Sequence, residues 1–302
     1  MLATIERLGM NYTLNSELAA AIKSLTGIVI GAEHIYRDNP STTGDDIMVT
    51  YGGDGTLLEA VGMLPSRDIP VVGINCGRLG YLTADDGKGI ETLFERMARR
   101  ELKFTQRSML QVEGDIVFDY NKCLALNEIA IHRHGATMVS VETRINNDTV
   151  ATYHGDGIVV STPTGSTAYS LSAGGPVVDP MCRCIVLSPL APHNLTMRPV
   201  VVPDSATITL RLDSRGGEAF LSADNRTYTL KDGATITLRI AAEPLILATP
   251  HNNSFYDTLR VMQFANRDEV EAAVAEYIQF YNFERINMEN GLTPDEIRSK
   301  AA

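Results

Sequence analysis

Ile47-Met48-Val49-Thr50-Tyr51-Gly52-Gly53-Asp54-Gly55-Thr56-Leu57-Leu58-Glu59-Ala60-Val61 decides the fold of the first third of this chain. A short apolar run gives way, through a glycine loop, to residues with helical spacing, so a strand hands over to a helix here. Free backbone N–H groups and the positive end of a helix dipole favour an anion at such a junction. Glycine lets the main chain approach a phosphate with no Cβ in the way. Asp54 does not fit a purely phosphate-binding role, because a carboxylate among donors meant for phosphate repels the ligand. Its natural task is chemical, as a general base.

Outward from this loop, Leu14 to Leu25 has helical spacing, while Gly27 to Gly31 and Val71 to Ile74 read as further short buried strands. Glu91 to Arg100 reads as a helix with a basic end. Residues 1–104 are therefore expected to form an α/β domain with a mainly parallel sheet. From 105 to 250 the period changes to two. Val139-Ser-Val-Glu-Thr-Arg-Ile, Ala206-Thr-Ile-Thr-Leu-Arg-Leu and Ala234-Thr-Ile-Thr-Leu-Arg-Ile alternate apolar with polar residues, with Asp-Gly or Gly-Gly turns between such runs. An all-β second domain follows, then a return segment at 251–265 and a helical extension at 266–302. In that extension Val270, Val274, Tyr277, Ile278 and Tyr281 line one helical face, and Thr293-Pro294-Asp295-Glu296 resembles a helix start.

Composition narrows the function. At 302 residues with 44% apolar and 21% charged residues, the chain has the profile of a soluble globular protein with room for two cores. No apolar run approaches the roughly 20 residues of a membrane helix, and the first residues lack the order of a signal peptide, so a cytoplasmic protein with no membrane partner is expected. A net charge of −11 argues against nucleic acid as a partner. Four scattered cysteines, Cys76, Cys123, Cys182 and Cys184, read as reduced thiols. His132 and His134 fall on one strand face; an exposed polar face is favoured there over a metal pair, and no metal ligand is assigned.

A second loop joins the first: Thr162-Pro163-Thr164-Gly165-Ser166-Thr167-Ala168-Tyr169-Ser170 is again dense in glycine and hydroxyls and reads as a phosphate cradle. Asn127-Glu128 places an amide and a carboxylate at the mouth of the strand Ile129-Ala130-Ile131, suited to the hydroxyls of a ribose or to a solvated turn. Asp156, in His154-Gly155-Asp156-Gly157, has the same two readings.

Taken together these segments resemble the NAD kinase family, with further matches at Asn75 to Leu82, Arg198 to Asp204 and Asn253 to Arg260. The likeness covers about residues 2–260. It implies an α/β domain beside a β-rich domain with the active site in the cleft, and phosphorylation of the 2′-hydroxyl of the adenosine ribose of NAD to give NADP. It further implies ATP or another phosphate donor, with Mg²⁺ arriving on the triphosphate, and a homodimer or homotetramer. By the same likeness Asp54 is the base, with Gly55 beside it. Asn127, Glu128 and Asp156 hold the dinucleotide, His154 stands where members often place a basic residue, and Arg226 lies near where many have glutamine. Thr167, Ala168, Tyr169, Ser170, Leu171 and Ser172 line the pocket. The alternatives are a non-catalytic NAD-binding protein, or a lipid or sugar kinase sharing the Gly-Gly-Asp-Gly loop. Members of the family place a strand and loop before the helix near Ala3, so the first strand of the sheet is expected to be absent and stability or activity reduced. Residues from Asp268 to Arg298 resemble the extreme C-terminus of an insertion-sequence transposase, without the catalytic carboxylates of such an enzyme.

Overall fold

A computed structural model describes residues 1–37, 46–64, 68–76, 80–83, 89–118, 123–146, 148–215, 217–249 and 254–262. The first layers contain α1 (Leu2–Arg7), β1 (Leu14–Asn15), α2 (Ser16–Thr26), β2 (Ile35–Tyr36), β3 (Met48–Tyr51), α3 (Asp54–Gly62), β4 (Val71–Ile74), α4 (Ile90–Ala98) and β5 (Lys103–Arg107). The middle of the chain forms β6 (Leu110–Gly114), β7 (Leu124–Ala125), β8 (Glu128–Arg133), β9 (Val139–Ile145), β10 (Asp148–Gly155), β11 (Gly157–Ser161) and the short α5 (Tyr169–Ser172). After it come β12 (Cys184–Leu190), β13 (Val200–Pro203), β14 (Ile208–Asp213), β15 (Glu218–Ala223), β16 (Arg226–Lys231), β17 (Thr235–Ile240), β18 (Leu245–Thr249) and α6 (Phe255–Met262).

Four strands in the order β3-β4-β18-β5 make the first sheet, parallel at β3/β4 and β4/β18 and antiparallel only at β18/β5. Val71 and Leu247 of this sheet pack with Leu57 and Val61 of α3, whereas Val72 and Ile74 pack with Ile5 of α1 and Leu93 of α4. Both faces are thus covered, as the continuous burial of Val71–Ile74 requires of a parallel strand. Among the described residues β3 stands at an edge of this sheet.

The chain leaves this sheet after Arg107 and returns to it at Leu245. Between these points two six-stranded sheets form, in the orders β10-β9-β14-β17-β6-β7 and β13-β12-β11-β8-β15-β16. Every pairing inside them is antiparallel. The two-residue period sorts the side chains as expected: Ile208, Leu210 and Leu212 of β14 and Ile129 and Ile131 of β8 enter one shared core. The intervening residues of β8, Glu128, Ala130 and His132, face the other way, and Ala130 belongs to a separate small cluster with Val159 of β11. That second face carries the candidate site residue Glu128.

One sequence expectation fails. Gly27 to Gly31 forms no strand; Gly27 closes α2 in the left-handed region at φ 75°, and Ile28 and Val29 are 53% and 70% exposed. A short glycine-bounded apolar run becomes a strand only where a ladder partner takes it, and here the small parallel pair is β1 with β2 instead. The helix expected from Leu14 starts at Ser16 because Asn15 caps it, its Oδ1 accepting from Leu18 N at 2.7 Å. A separate compact unit begins at Ser254 and contains α6. The helical stripe and final helix expected within 266–302 lie outside the described residues. Among the described residues no helix is long and apolar enough to cross a membrane.

Candidate active site

The glycine loop folds as its sequence suggests. Gly53 is the N-cap of α3, and Asp54 occupies its first turn, where the dipole favours a carboxylate. The carboxylate is held by the loop that follows β4: Tyr81 N donates to Oδ2 at 2.8 Å, while Leu82 N, Thr83 N and Thr83 Oγ1 donate to Oδ1 at 3.2, 3.1 and 3.1 Å. This loop can close so tightly because residue 80 is glycine; a Cβ there would lie 2.0 Å from Asp54 Oδ1. Gly55 is exposed beside it.

The second half of the site is built on the outward face of β8 and β11. Ser161 is the ladder partner of Glu128, so their side chains stand together on one face. Asn127 and Glu128 are both buried, and the Glu128 carboxyl accepts from the backbone N–H of Tyr169. Burial, and after it the nearby Asp224 carboxylate, push Glu128 up to about 8. Asp156 follows β10 and is paired with Arg133, Nε to Oδ1 at 2.6 Å. Burial raises the Tyr169 phenol, and the charges of Asp156 and Glu128 raise it further, which places all three groups in one neighbourhood. Tyr169 is nevertheless 40% exposed.

The loop leading to Tyr169 is pinned by its own hydroxyls. Thr162 Oγ1 donates to Leu126 O at 2.6 Å and accepts from Gly165 N at 3.1 Å, and Thr162 N donates to Asn127 O at 2.9 Å. A Cβ on Gly165 would meet Asn127 O at 2.1 Å, so the two loops touch backbone to backbone. Thr167 and Ala168 are partly buried, while Leu171 and Ser172 are exposed. Ser170 points inward, its hydroxyl 3.1 Å from that of Ser188. His154 is exposed, with Nδ1 at 2.8 Å from Ser140 Oγ. His132 and His134 both pack against Phe220, with ring centroids 5.6 and 4.7 Å away.

The structure therefore gathers Asn127, Glu128, Asp156 and Tyr169. Asp54 and Gly55 sit at the far end of α3, yet that helix shares an apolar cluster with the site: Leu57 and Val61 belong to the same cluster as Leu126, the residue before Asn127. Several participants escape a reading of the sequence. Asp224, Thr83 and Ser161 lie in stretches that look like an ordinary turn, loop or strand end, and their roles depend on contacts across 29 to 98 residues of chain. Three buried polar atoms here have no hydrogen-bond partner among the described residues: Glu128 Oε2, Ser161 Oγ and Thr164 Oγ1. Buried polar groups are ordinarily paired, so three unpaired ones at the adjoining ends of β8 and β11 and in the loop after β11 are out of the ordinary.

The segments that build this site also match known proteins. Residues 7–102 match the model of the ATP-NAD kinase N-terminal domain and residues 126–247 that of the ATP-NAD kinase C-terminal domain. Residues 254–301 match an integrase core domain, in keeping with the transposase-like tail. An NAD kinase of Bacteroides fragilis is 35% identical over 265 residues, covering 87% of this chain and 91% of that protein. One of Porphyromonas gingivalis is 43% identical over 216 residues, covering 71% and 74%. Among solved structures, yeast NADH kinase complexed with NADH superposes with a TM-score of 0.76 at 26% identity, over 88% of this chain and 84% of that one. An NAD kinase from Archaeoglobus fulgidus in complex with ATP gives 0.64 at 26% identity, over 82% and 94%. With the glycine loop on α3, the Asn127-Glu128 corner and both family models in place, the chain belongs to the NAD kinase family.

Proposed function

We propose that the chain transfers a phosphoryl group from ATP to the 2′-hydroxyl of the adenosine ribose of NAD, giving NADP and ADP. The observation that carries this reading is the trio of unpaired buried polar atoms on Glu128, on Ser161 at the end of β11 and on Thr164 in the loop that follows, which suits a hydroxyl-rich, polar ligand. Asn127 and Glu128 bind the dinucleotide, Asp156 adds a further polar contact, and the partly exposed ring of Tyr169 stacks on a flat ring. Thr167, Ala168, Leu171 and Ser172 line the edge of the same pocket, with His154 and Gly55 at its margins. Ser170 supports the loop from beneath.

In the transfer, the ribose O2′–P bond forms, the bond from the terminal phosphorus to the bridging oxygen breaks, and the hydroxyl proton passes to Asp54. A carboxylate offers about four acceptor directions. Among the described residues Oδ1 already has three donors, whereas Oδ2 has one, so Oδ2 is the oxygen that receives the proton. Phosphoryl transfer asks the protein mainly for alignment and charge neutralisation, which the amides at the start of α3 serve. Mg²⁺ supplies charge neutralisation on the triphosphate when bound; with a single carboxylate within the Gly-Gly-Asp-Gly loop, phosphates and water suit it better as ligands than a protein cage. We place the enzyme in the cytoplasm as a homodimer or homotetramer, in line with the family.

A second reading draws on the same four hydrogen bonds: Asp54 pins the Gly80–Thr83 loop and takes no proton. Asp54→Asn separates the two. As a base, Asp54 is worth about 10²–10⁴ in turnover with NAD binding kept; as a pin alone, its loss lowers the melting temperature and leaves turnover within a few-fold.

A further inference from the structure

We infer that Asp224 is a positioning residue for the dinucleotide, acting as a built-in anion that locks the Asn127-Glu128 corner in its binding geometry. This rests on the reading that the corner holds NAD. Three successive backbone N–H groups, those of Leu126, Asn127 and Glu128, all point at one carboxylate. Leu126 N reaches Asp224 Oδ2 at 2.8 Å; Asn127 N and Glu128 N reach Oδ1 at 2.8 and 3.2 Å. Consecutive N–H groups converging in this way form a concavity that binds anions, and here a side chain of the chain itself fills it. The Asp224 side chain is only 1% exposed.

A buried carboxylate needs compensation, and it has more than the three amides. Arg226 Nη2 lies 3.9 Å from Oδ2, and its guanidinium also donates to Leu124 O and Ala223 O. Asp224 itself takes a left-handed backbone with φ 50°, and its N–H donates to Glu128 O at 3.0 Å. A non-glycine residue in that region is uncommon and persists where its surroundings impose it. From the opposite side Thr162 binds the carbonyls of Leu126 and Asn127. The corner is thus gripped through its N–H groups by Asp224 and through the C=O groups of Leu126 and Asn127 by Thr162.

The clamp also has an electrostatic consequence. Glu128 is faced by Asp224 from the turn between β15 and β16, by the backbone N–H of Tyr169 from α5, and by the Tyr169 phenol beside Asp156. Burial raises Asp224, and the three backbone N–H groups, with Arg226 on β16 behind them, act against that rise and favour the ionised form. Burial first and the Asp224 charge second raise Glu128, so that it keeps its proton at neutral pH and presents an O–H donor as well as an acceptor.

The test is Asp224→Asn in the full chain. The amide keeps the volume but turns an N–H₂ group toward at least one of the three donors and removes the charge. NAD titration and initial rates with NAD and Mg-ATP should show KM for NAD raised by about tenfold or more with kcat within about threefold. The pH transition in NAD affinity should move to lower pH, because Glu128 loses its anionic neighbour; a purely structural residue would leave that transition in place. Unchanged KM and an unchanged pH transition in an active, folded variant overturn the inference. If the wild-type chain itself makes no NADP and binds no NAD, the reading of the corner fails and this inference falls with it. Should Asp224→Asn not fold, amide hydrogen exchange on the wild type decides: slow exchange at Leu126, Asn127 and Glu128 is expected, and exchange at the rate of an open loop contradicts the clamp.

Discussion

Replacing Glu128 with glutamine should flatten part of the pH dependence of folding. In the folded chain Glu128 is pushed from the ordinary 4.5 to about 8, first by burial and then by the charge of Asp224. A carboxyl raised by folding holds its proton more tightly in the native state, so its contribution to stability is full below pH 4.5 and is lost progressively as pH rises through about 8. At 1.36 kcal/mol per unit, a shift of this size corresponds to an upper bound of roughly 5 kcal/mol, and about 2–4 kcal/mol is a fair range for a group that is not wholly buried. Glutamine has nearly the same shape and no titration. The difference in unfolding free energy between Glu128→Gln and wild type should therefore move in favour of the variant by that amount between about pH 5 and about pH 8.5. Asp224, also raised by burial, is common to both proteins and largely cancels from the difference. Denaturant unfolding followed by circular dichroism at half-unit steps of pH reads this directly. Parallel curves for the two proteins would refute the buried, proton-holding Glu128.

Two glycines test the contacts that shape the site. Gly80→Ala puts a methyl group 2.0 Å from Asp54 Oδ1; the short acidic side chain must yield, so a folded protein with turnover reduced by about 10²-fold is expected in steady-state kinetics, while full activity would show that the Asp54 orientation is unimportant. Gly165→Ala drives its methyl group into the Asn127 backbone at 2.1 Å, where nothing flexible can move aside. A loss of about 1–3 kcal/mol in stability, read by thermal melting, is expected, and an unchanged midpoint would contradict the backbone contact between the two loops.

Much of the architecture is legible in the sequence because periodicity carries it. Alternation over Ile208–Asp213 puts Ile208, Leu210 and Leu212 on one face of β14, and the same alternation over Thr235–Ile240 brings Ile236 and Leu238 of β17 into the shared core beside them. The glycine loop is legible too, since Gly53 and Asp54 start α3 where the sequence turns from strand to helix. Gly27 to Gly31 misleads because a strand exists only with a partner, and local composition cannot supply one. What holds the site together is hidden for a related reason. Asp224 acts on residues 96 to 98 positions away, and Thr83 acts on a carboxylate 29 positions away. In the sequence Ala223-Asp224-Asn225-Arg226 is an ordinary polar turn between two alternating runs, and nothing local marks its carboxylate as the one that three distant amides require.

If Asp54 takes the proton of a ribose hydroxyl as the chain phosphorylates NAD, one side-by-side comparison decides the matter. Purified wild type and Asp54→Asn, each as the full chain, are incubated with NAD and Mg-ATP, and NADP is measured with an NADP-specific dehydrogenase. The expected result is NADP from the wild type and a rate lower by about 10²–10⁴ in the variant, with NAD still bound. No NADP from a folded wild-type chain, or equal rates from the two proteins, would contradict it.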